Sequence, residues 1–100
     1  MVKHIILWKL KEELSEIEKA GIKNGIKRGL EGLAGKIDGL VDIKVVINPL
    51  PTSNVDLMLD STFTDYNALK GYSVNPLHVE VADKKVRPYT AERNCIDFEI

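Results

Sequence analysis

His78, Tyr72 and His4 are the side chains of this sequence that could carry out acid–base chemistry. Asparagine is a preferred helix cap and proline is favoured at the first helical position, so Asn75-Pro76 predicts a helix start with His78 as its third residue. The positive end of the helix dipole would hold that imidazole neutral, as a general base must be. Tyr72 could donate a hydrogen bond to an oxyanion, and His4 could orient either group. These three residues would suit an aldolase or cyclase reaction.

The same three side chains could equally have structural roles. His78 could support a helix cap, Tyr72 could pack between helix and sheet, and His4 could be a core histidine at the end of a strand. Two histidines without a His-x-x-x-His pair, and the single cysteine Cys95, offer too few ligands for a metal ion. We therefore expect neither a metal nor a cofactor.

The composition argues against several classes of function. The chain has 100 residues and a formal net charge of -1, whereas a nucleic-acid-binding domain is usually basic. No stretch has the apolar length of a membrane span, and the N-terminal residues lack the pattern of a signal peptide. We therefore expect a cytoplasmic protein that forms one domain over residues 1-100.

The element that would carry His4 is a first strand, predicted over Val2 to Leu10. Its apolar residues are nearly continuous, which is typical of a strand covered on both faces. Because side chains alternate along a strand, His4 shares its face with Ile6, Trp8 and Leu10. The histidine is therefore expected among apolar groups.

A long first helix is predicted to follow. Ser15 and Glu18 have the spacing of a capping box, in which each side chain accepts a hydrogen bond from the backbone of the other. Gly39 lies where a C-terminal cap is expected. An apolar stripe at helical spacing extends this helix as far as Ile37; its members are Ile22, Ile26, Leu30, Leu33 and Ile37. Gly21, Gly25, Gly29 and Gly32 would line a smooth strip on this helix.

The rest of the chain completes an alternating order of strands and helices. Strands are predicted over 40-48 and 55-63 as a hairpin, two short helices follow, and a last strand covers 89-100. The order β-α-β-β-α-α-β is the split, ferredoxin-like arrangement of an α+β domain. A domain this small that leaves one sheet face open would gain a larger core by pairing with a second copy, so a homodimer is expected.

Two segments of this sequence resemble the stress-responsive dimeric α/β-barrel (Dabb) family. The opening Val2-Lys-His-Ile-Ile-Leu-Trp8 looks like the first strand of the family, and the segment from Tyr72 to Val79 matches its Tyr-x-x-x-Pro-x-His-Val pattern. The resemblance covers almost the whole chain. It implies a four-stranded antiparallel sheet with helices on one face, and two such sheets packed face to face as a dimeric α+β barrel.

The resemblance also implies a range of possible functions. Many Dabb proteins have no defined activity, and a dimer with a small apolar pocket between sheet and helices is the first expectation. A plant relative, olivetolic acid cyclase, closes a polyketide without a cofactor, and its catalytic tyrosine, main histidine and second histidine fall on Tyr72, His78 and His4. This chain departs from that enzyme around Ile26, where the enzyme has a pocket tyrosine. It also has Asn75 where a histidine often precedes the proline of the motif. A monooxygenase of the same barrel type is a further alternative.

Overall fold

The computed structural model describes residues 1–100 as one four-stranded antiparallel sheet with helices on one of its faces. The strands lie in the order β2-β3-β1-β4. This arrangement confirms the predicted ferredoxin-like α+β fold. The elements in chain order are β1 (Val2–Leu10), α1 (Glu16–Glu31), β2 (Leu40–Val46), β3 (Leu57–Phe63), α2 (Tyr66–Val74), α3 (Pro76–Val81), a π-helical turn (Ala82–Val86), a 3₁₀ turn (Arg87–Tyr89) and β4 (Thr90–Glu99).

β1 lies in the middle of the sheet, between β3 and β4, and its burial alternates along the whole strand. The even-numbered residues are buried beneath the helices, and the odd-numbered residues are partly covered on the opposite face. Directly paired residues of antiparallel strands lie on the same face. His4 pairs with Ser61 on β3 and with Asp97 on β4, so the side chains of these three residues share the helix-covered face.

α1 begins as predicted and ends earlier. Ser15 accepts from the Glu18 amide at 3.1 Å, and the Glu18 carboxylate accepts from the Ser15 amide at 3.0 Å. The prediction that the helix continues to a cap at Gly39 is wrong: it ends at Glu31, and turns follow. Glycine weakens helices, and Gly35 adopts a φ of 76°, which lies outside the right-handed helical region. Leu33 and Ile37 are nevertheless buried, although they lie in turns and not in the helix.

α1 also protects the edge of the sheet. β2 is an edge strand, so its outward backbone groups lack a neighbouring strand. The Glu31 carboxylate accepts from the Val45 amide at 2.9 Å, and Lys27 donates to the Val45 carbonyl at 2.8 Å. Lys27 and Glu31 also pair with each other at 2.8 Å. The two side chains therefore satisfy the backbone N–H and carbonyl of Val45, which another strand could otherwise bind.

The hairpin strands are shorter than the sequence predicts. β2 ends at Val46 instead of Asn48, and β3 begins at Leu57 instead of Val55. The pairing register shifts between Leu40 and Asp42, and Val41 is exposed although its parity predicts burial. An extra residue in one strand changes the face of its neighbours, which explains the difference.

The short helices start at polar caps, and the cap of α3 is the predicted Asn75. Asp65 accepts from the Ala68 amide at 2.8 Å to begin α2, and Asn75 accepts from the Leu77 amide at 2.9 Å to begin α3. The tight junction before β2 depends on Gly39, which has a φ of 81°. A Cβ atom at Gly39 would lie 2.4 Å from the Ala68 Cβ, so a glycine is needed both for the backbone conformation and for the space.

The hydrophobic core lies between the sheet and the helices, and the other face of the sheet is open. Sixteen buried residues form one cluster that includes Trp8, Ile26, Phe63 and Tyr72. The open face carries a band of apolar side chains that no element of the chain covers: Ile5, Leu7, Val46, Met58, Ile96 and Phe98. No helix of the protein combines the length and the apolar composition that crossing a membrane requires.

Candidate functional site

A cavity of about 160 Å³ opens between the sheet and the helices. Its sheet side comes from β1, β3 and β4, and its other side comes from α1, the end of α2, α3 and the turns after α3. Half of the lining is hydrophobic. The lining residues are His4, Ile6, Trp8, Leu30, Leu59, Ser73, His78, Ala82, Val86, Arg87, Thr90 and Arg93. The predicted pocket between sheet and helices is therefore present, and it has a larger polar share than expected.

His78 is half-buried at the wall of this cavity. Burial lowers the pKa of its imidazole below 6.5, and the positive charge of Arg87 acts in the same direction. Its Nδ1 atom is buried and makes no hydrogen bond, although the nearby Ser73 carbonyl acts to raise the pKa. The imidazole is therefore neutral at neutral pH and can accept a proton, in agreement with the expectation from the sequence, although burial is the main cause.

Tyr72 lies behind His78 and does not line the cavity. The two rings stack with centroids 4.0 Å apart and an angle of 30° between their planes, and the Phe63 ring packs against Tyr72 with centroids 5.0 Å apart. The Tyr72 side chain is almost completely buried, and its hydroxyl has no hydrogen-bond partner. Burial raises the pKa of Tyr72, so the hydroxyl keeps its proton and is able to donate a hydrogen bond.

His4 is buried at the opposite, sheet side of the cavity. Its Nδ1 atom lies 2.5 Å from a carboxylate oxygen of Asp97, its direct neighbour on β4. A carboxylate that accepts from Nδ1–H holds the ring in one tautomer and leaves Nε2 as the nitrogen that can accept a proton. Aromatic edges fix the ring further, with Phe63 and Tyr72 at centroid distances of 6.3 and 6.2 Å.

Cys95 joins His4 and Asp97 in a small polar cluster. The thiol sulfur lies 3.7 Å from His4 Nδ1 and 3.6 Å from the Asp97 carboxylate. Burial and the negative charge of Asp97 raise the pKa of the Cys95 thiol. Histidine, cysteine and aspartate are all metal-ligand types, and the three ligand atoms lie within 4.8 Å of one another. The hydrogen bond between His4 and Asp97 accounts for this arrangement without an ion.

The structure brings the three predicted site residues into one cluster with unequal access. His4 and His78 line the cavity, whereas Tyr72 supports His78 from behind. Sequence reasoning missed Asp97, Arg87 and Arg93. The strand pairing of β1 with β4 would have indicated Asp97, but that register is not visible in the sequence. The arginines gave no signal, because neither belongs to a motif.

A family model connects this geometry to known proteins. The model described as "Stress responsive A/B Barrel Domain" (Dabb) matches residues 2–100. The chain belongs to this family. The match confirms the resemblance that the opening strand and the Tyr72 to Val79 segment indicated. No curated protein sequence matches this Dabb chain.

Solved structures share the fold across nearly the whole chain. A dimeric protein of unknown function from Bacteroides fragilis is 32% identical, with a TM-score of 0.91 over 99% of this chain and 95% of that one. A hydroxynitrile lyase from Passiflora edulis is 17% identical, with a TM-score of 0.73 over 99% and 92%. A putative antibiotic biosynthesis monooxygenase from Nitrosomonas europaea is 11% identical, with a TM-score of 0.75 over 99% and 97%. The last two similarities show the fold alone.

Proposed function

We propose that this Dabb protein is a homodimer in which each protomer binds a small molecule in the cavity and can move a proton there without a cofactor. One observation carries the proposal: two imidazoles, His4 and His78, line the same partly apolar cavity. Small-molecule sites are typically concave and apolar, with a few polar groups that orient the ligand. A lyase or cyclase reaction is the reaction type that these groups suit.

His78 is the base in this proposal. A neutral imidazole can take a proton from a carbon next to a carbonyl group, which leaves an enolate, and can return the proton to the product. The lowered pKa of His78 ensures that the base form is present at neutral pH. His4, held by Asp97, is placed to accept and relay the proton through its Nε2 atom.

Tyr72 has a supporting role in the proposal. Its ring stacks on His78 and fixes the orientation of the imidazole. Its protonated hydroxyl is buried and unpartnered, so it would act as an acid only after a side-chain movement brings it to the cavity. Its assignment as the catalytic acid stays a prediction from the family resemblance.

The test of catalysis is deuterium exchange into small ketones and β-diketones in D₂O, followed by NMR. We expect the protein to accelerate exchange at the carbon next to the carbonyl, and His78→Gln to reduce the rate roughly 100-fold, as loss of a general base does. His4→Gln should reduce the rate less. If the native protein exchanges no faster than its heat-denatured sample for every compound, proton transfer fails as a function and only binding remains.

The dimer is proposed to form through the open face of the sheet. Ile96 is 60% exposed and Phe98 is 43% exposed, and they continue the apolar band of β1 and β3 on this face. An uncovered apolar band of this kind marks a protein interface. The Bacteroides relative is described as dimeric. Because Cys95 is a free thiol, we also propose the cytoplasm as the location of the dimer.

Sedimentation equilibrium tests the dimer. We expect a mass twice that of the 11.2-kDa chain, and Ile96→Asp should shift the protein to the monomer. The matched control is Ile17→Asp, because Ile17 is 87% exposed on α1, away from the open sheet face. A monomeric native protein, or equal dissociation by both substitutions, would contradict the sheet-face interface.

A further inference from the structure

We infer that the ligand of the cavity is a small organic carboxylate with an apolar body, and that Arg93 binds its carboxylate group. This inference rests on the proposed function, because it names the ligand class of the same cavity. The evidence for it is the distribution of charge among the lining residues. Arg93 lies outside the Tyr-x-x-x-Pro-x-His-Val pattern of the family.

The charged and titratable groups at the cavity are all cationic or able to become so. Two histidines and two arginines line it, together with the hydroxyl groups of Ser73 and Thr90, and no carboxylate is among the twelve lining residues. In a site partly closed to water, two arginines with no carboxylate in the lining favour an anion. The nearest carboxylates are already engaged: Asp97 with His4, and Asp83 with Arg87.

Arg93 is the lining cation that has no carboxylate partner. No acidic group pairs with its guanidinium, in contrast to Arg87, whose Nη1 atom pairs with Asp83. Arg93 is paired with Trp8 across the β1–β4 ladder, so both side chains lie on the helix-covered face of the sheet. A guanidinium presents its donors in a planar fork that matches a carboxylate. The neighbouring Trp8 then offers an apolar surface to the rest of the ligand.

The other half of the lining selects the body of the ligand. Six hydrophobic residues form this part: Ile6, Trp8, Leu30, Leu59, Ala82 and Val86. Inorganic phosphate would leave these side chains without contacts, whereas a compact aromatic or branched alkyl acid would cover them. The volume of about 160 Å³ limits the ligand to a small one, so a compound with the size of benzoate is the appropriate probe.

The experiment uses the single tryptophan as a reporter. Trp8 lines the cavity, so its indole N–H gives one cross-peak in a ¹⁵N-correlated NMR spectrum that reports on cavity binding. The full chain is titrated with benzoate, with benzamide as the uncharged compound of the same shape, and with inorganic phosphate. We expect benzoate to shift the Trp8 signal with a millimolar or lower Kd, and benzamide and phosphate to bind at least tenfold more weakly.

Variants assign the carboxylate to its partner. Arg93→Gln should weaken benzoate binding about tenfold or more, as loss of a hydrogen bond to a charged group does. Arg28→Gln is the control, because it makes the same change of charge on α1 outside this cavity. Arg93→Lys keeps the charge without the fork and should bind with intermediate affinity. Thermal unfolding of each variant establishes that it is folded.

Each result has a distinct meaning. If benzamide binds as tightly as benzoate, or Arg93→Gln has no effect, the carboxylate inference is overturned while the proposed pocket remains. If phosphate binds as tightly as benzoate and is sensitive to Arg93→Gln, the site takes anions in general, and the apolar body is wrong. If no compound moves the Trp8 signal, both the inference and the proposed binding function fail.

Discussion

The ring of Tyr72 lies against the imidazole of His78, with centroids 4.0 Å apart. Both rings have a buried polar atom without a hydrogen bond: the hydroxyl oxygen of Tyr72 and the Nδ1 atom of His78. A buried polar group without a partner costs stability, and native proteins contain few of them. Two such groups side by side, next to the cavity, indicate that the Tyr72–His78 pair is not optimised for stability, as is common at functional sites.

Removing the Tyr72 hydroxyl tests this cost. We expect Tyr72→Phe to raise the free energy of unfolding by about 1 kcal/mol, because it removes an unsatisfied polar group and keeps the stacked ring. Urea unfolding measures the change, with Tyr66→Phe as the control, since Tyr66 is 57% exposed and its hydroxyl is not buried. A loss of stability in Tyr72→Phe would mean that the hydroxyl has a partner, such as a bound water.

The titration of His78 is expected below pH 6.5, because burial disfavours the imidazolium. Between pH 6.5 and the pKa of the folded protein, the unfolded chain binds a proton that the folded chain does not. The free energy of unfolding should therefore fall as the pH decreases through this window. Above pH 6.5, His78 should cause no change of stability with pH. Imidazole NMR signals and urea midpoints at pH 7.5 and 5.5 measure both effects.

His78→Gln serves as the control for that pH dependence. It leaves His4 as the sole histidine, which assigns both imidazole signals. The urea midpoint of His78→Gln should decrease less between pH 7.5 and 5.5 than that of the native protein. A titration of His78 at or above 6.5 would contradict the placement of its ring.

Cys95 should react slowly with iodoacetamide, because burial and the Asp97 carboxylate both raise the pKa of its thiol. Asp97→Asn removes the negative charge. The pKa of the thiol should then fall, and the alkylation rate at a fixed pH below that pKa should rise. Glu99→Gln makes the same change of charge on the same face of β4 and should leave the rate unchanged. Equal rates for the native protein and Asp97→Asn would refute the electrostatic contact.

Gly39 and Gly21 should respond in opposite directions to alanine. Gly39→Ala strains a backbone with a φ of 81° and places its Cβ against Ala68, so a loss of about 1–3 kcal/mol in the free energy of unfolding is expected. Gly21→Ala adds a Cβ in open space within α1 and should gain about 0.5–1 kcal/mol. Unfolding is compared at one protomer concentration because a dimer dissociates on dilution. Similar effects of the two substitutions would contradict these assignments.

Local signals in the sequence were sufficient for the starts of α1 and α3. The capping box of Ser15 and Glu18 joins residues three apart, and Asn75 bonds an amide two residues away. Such contacts depend only on neighbouring residues, so their spacing can be read directly. The end of α1 was predicted wrongly, because Leu33 and Ile37 are buried at helical spacing without being helical. Tertiary packing buries these two side chains although their backbone forms turns.

The sequence by itself determined the order of the elements, the face of β1 that carries His4, and the segment that carries Tyr72 and His78. Alternation and capping are local, and they follow from the geometry of strands and helices. Only the tertiary structure decided that His4 meets Asp97, 93 residues away, and that Arg93 joins the cavity while the Tyr72 hydroxyl does not. These relationships depend on strand register and on the packing of α2 and α3 against the sheet, where a shift of one residue would turn each side chain to the other face.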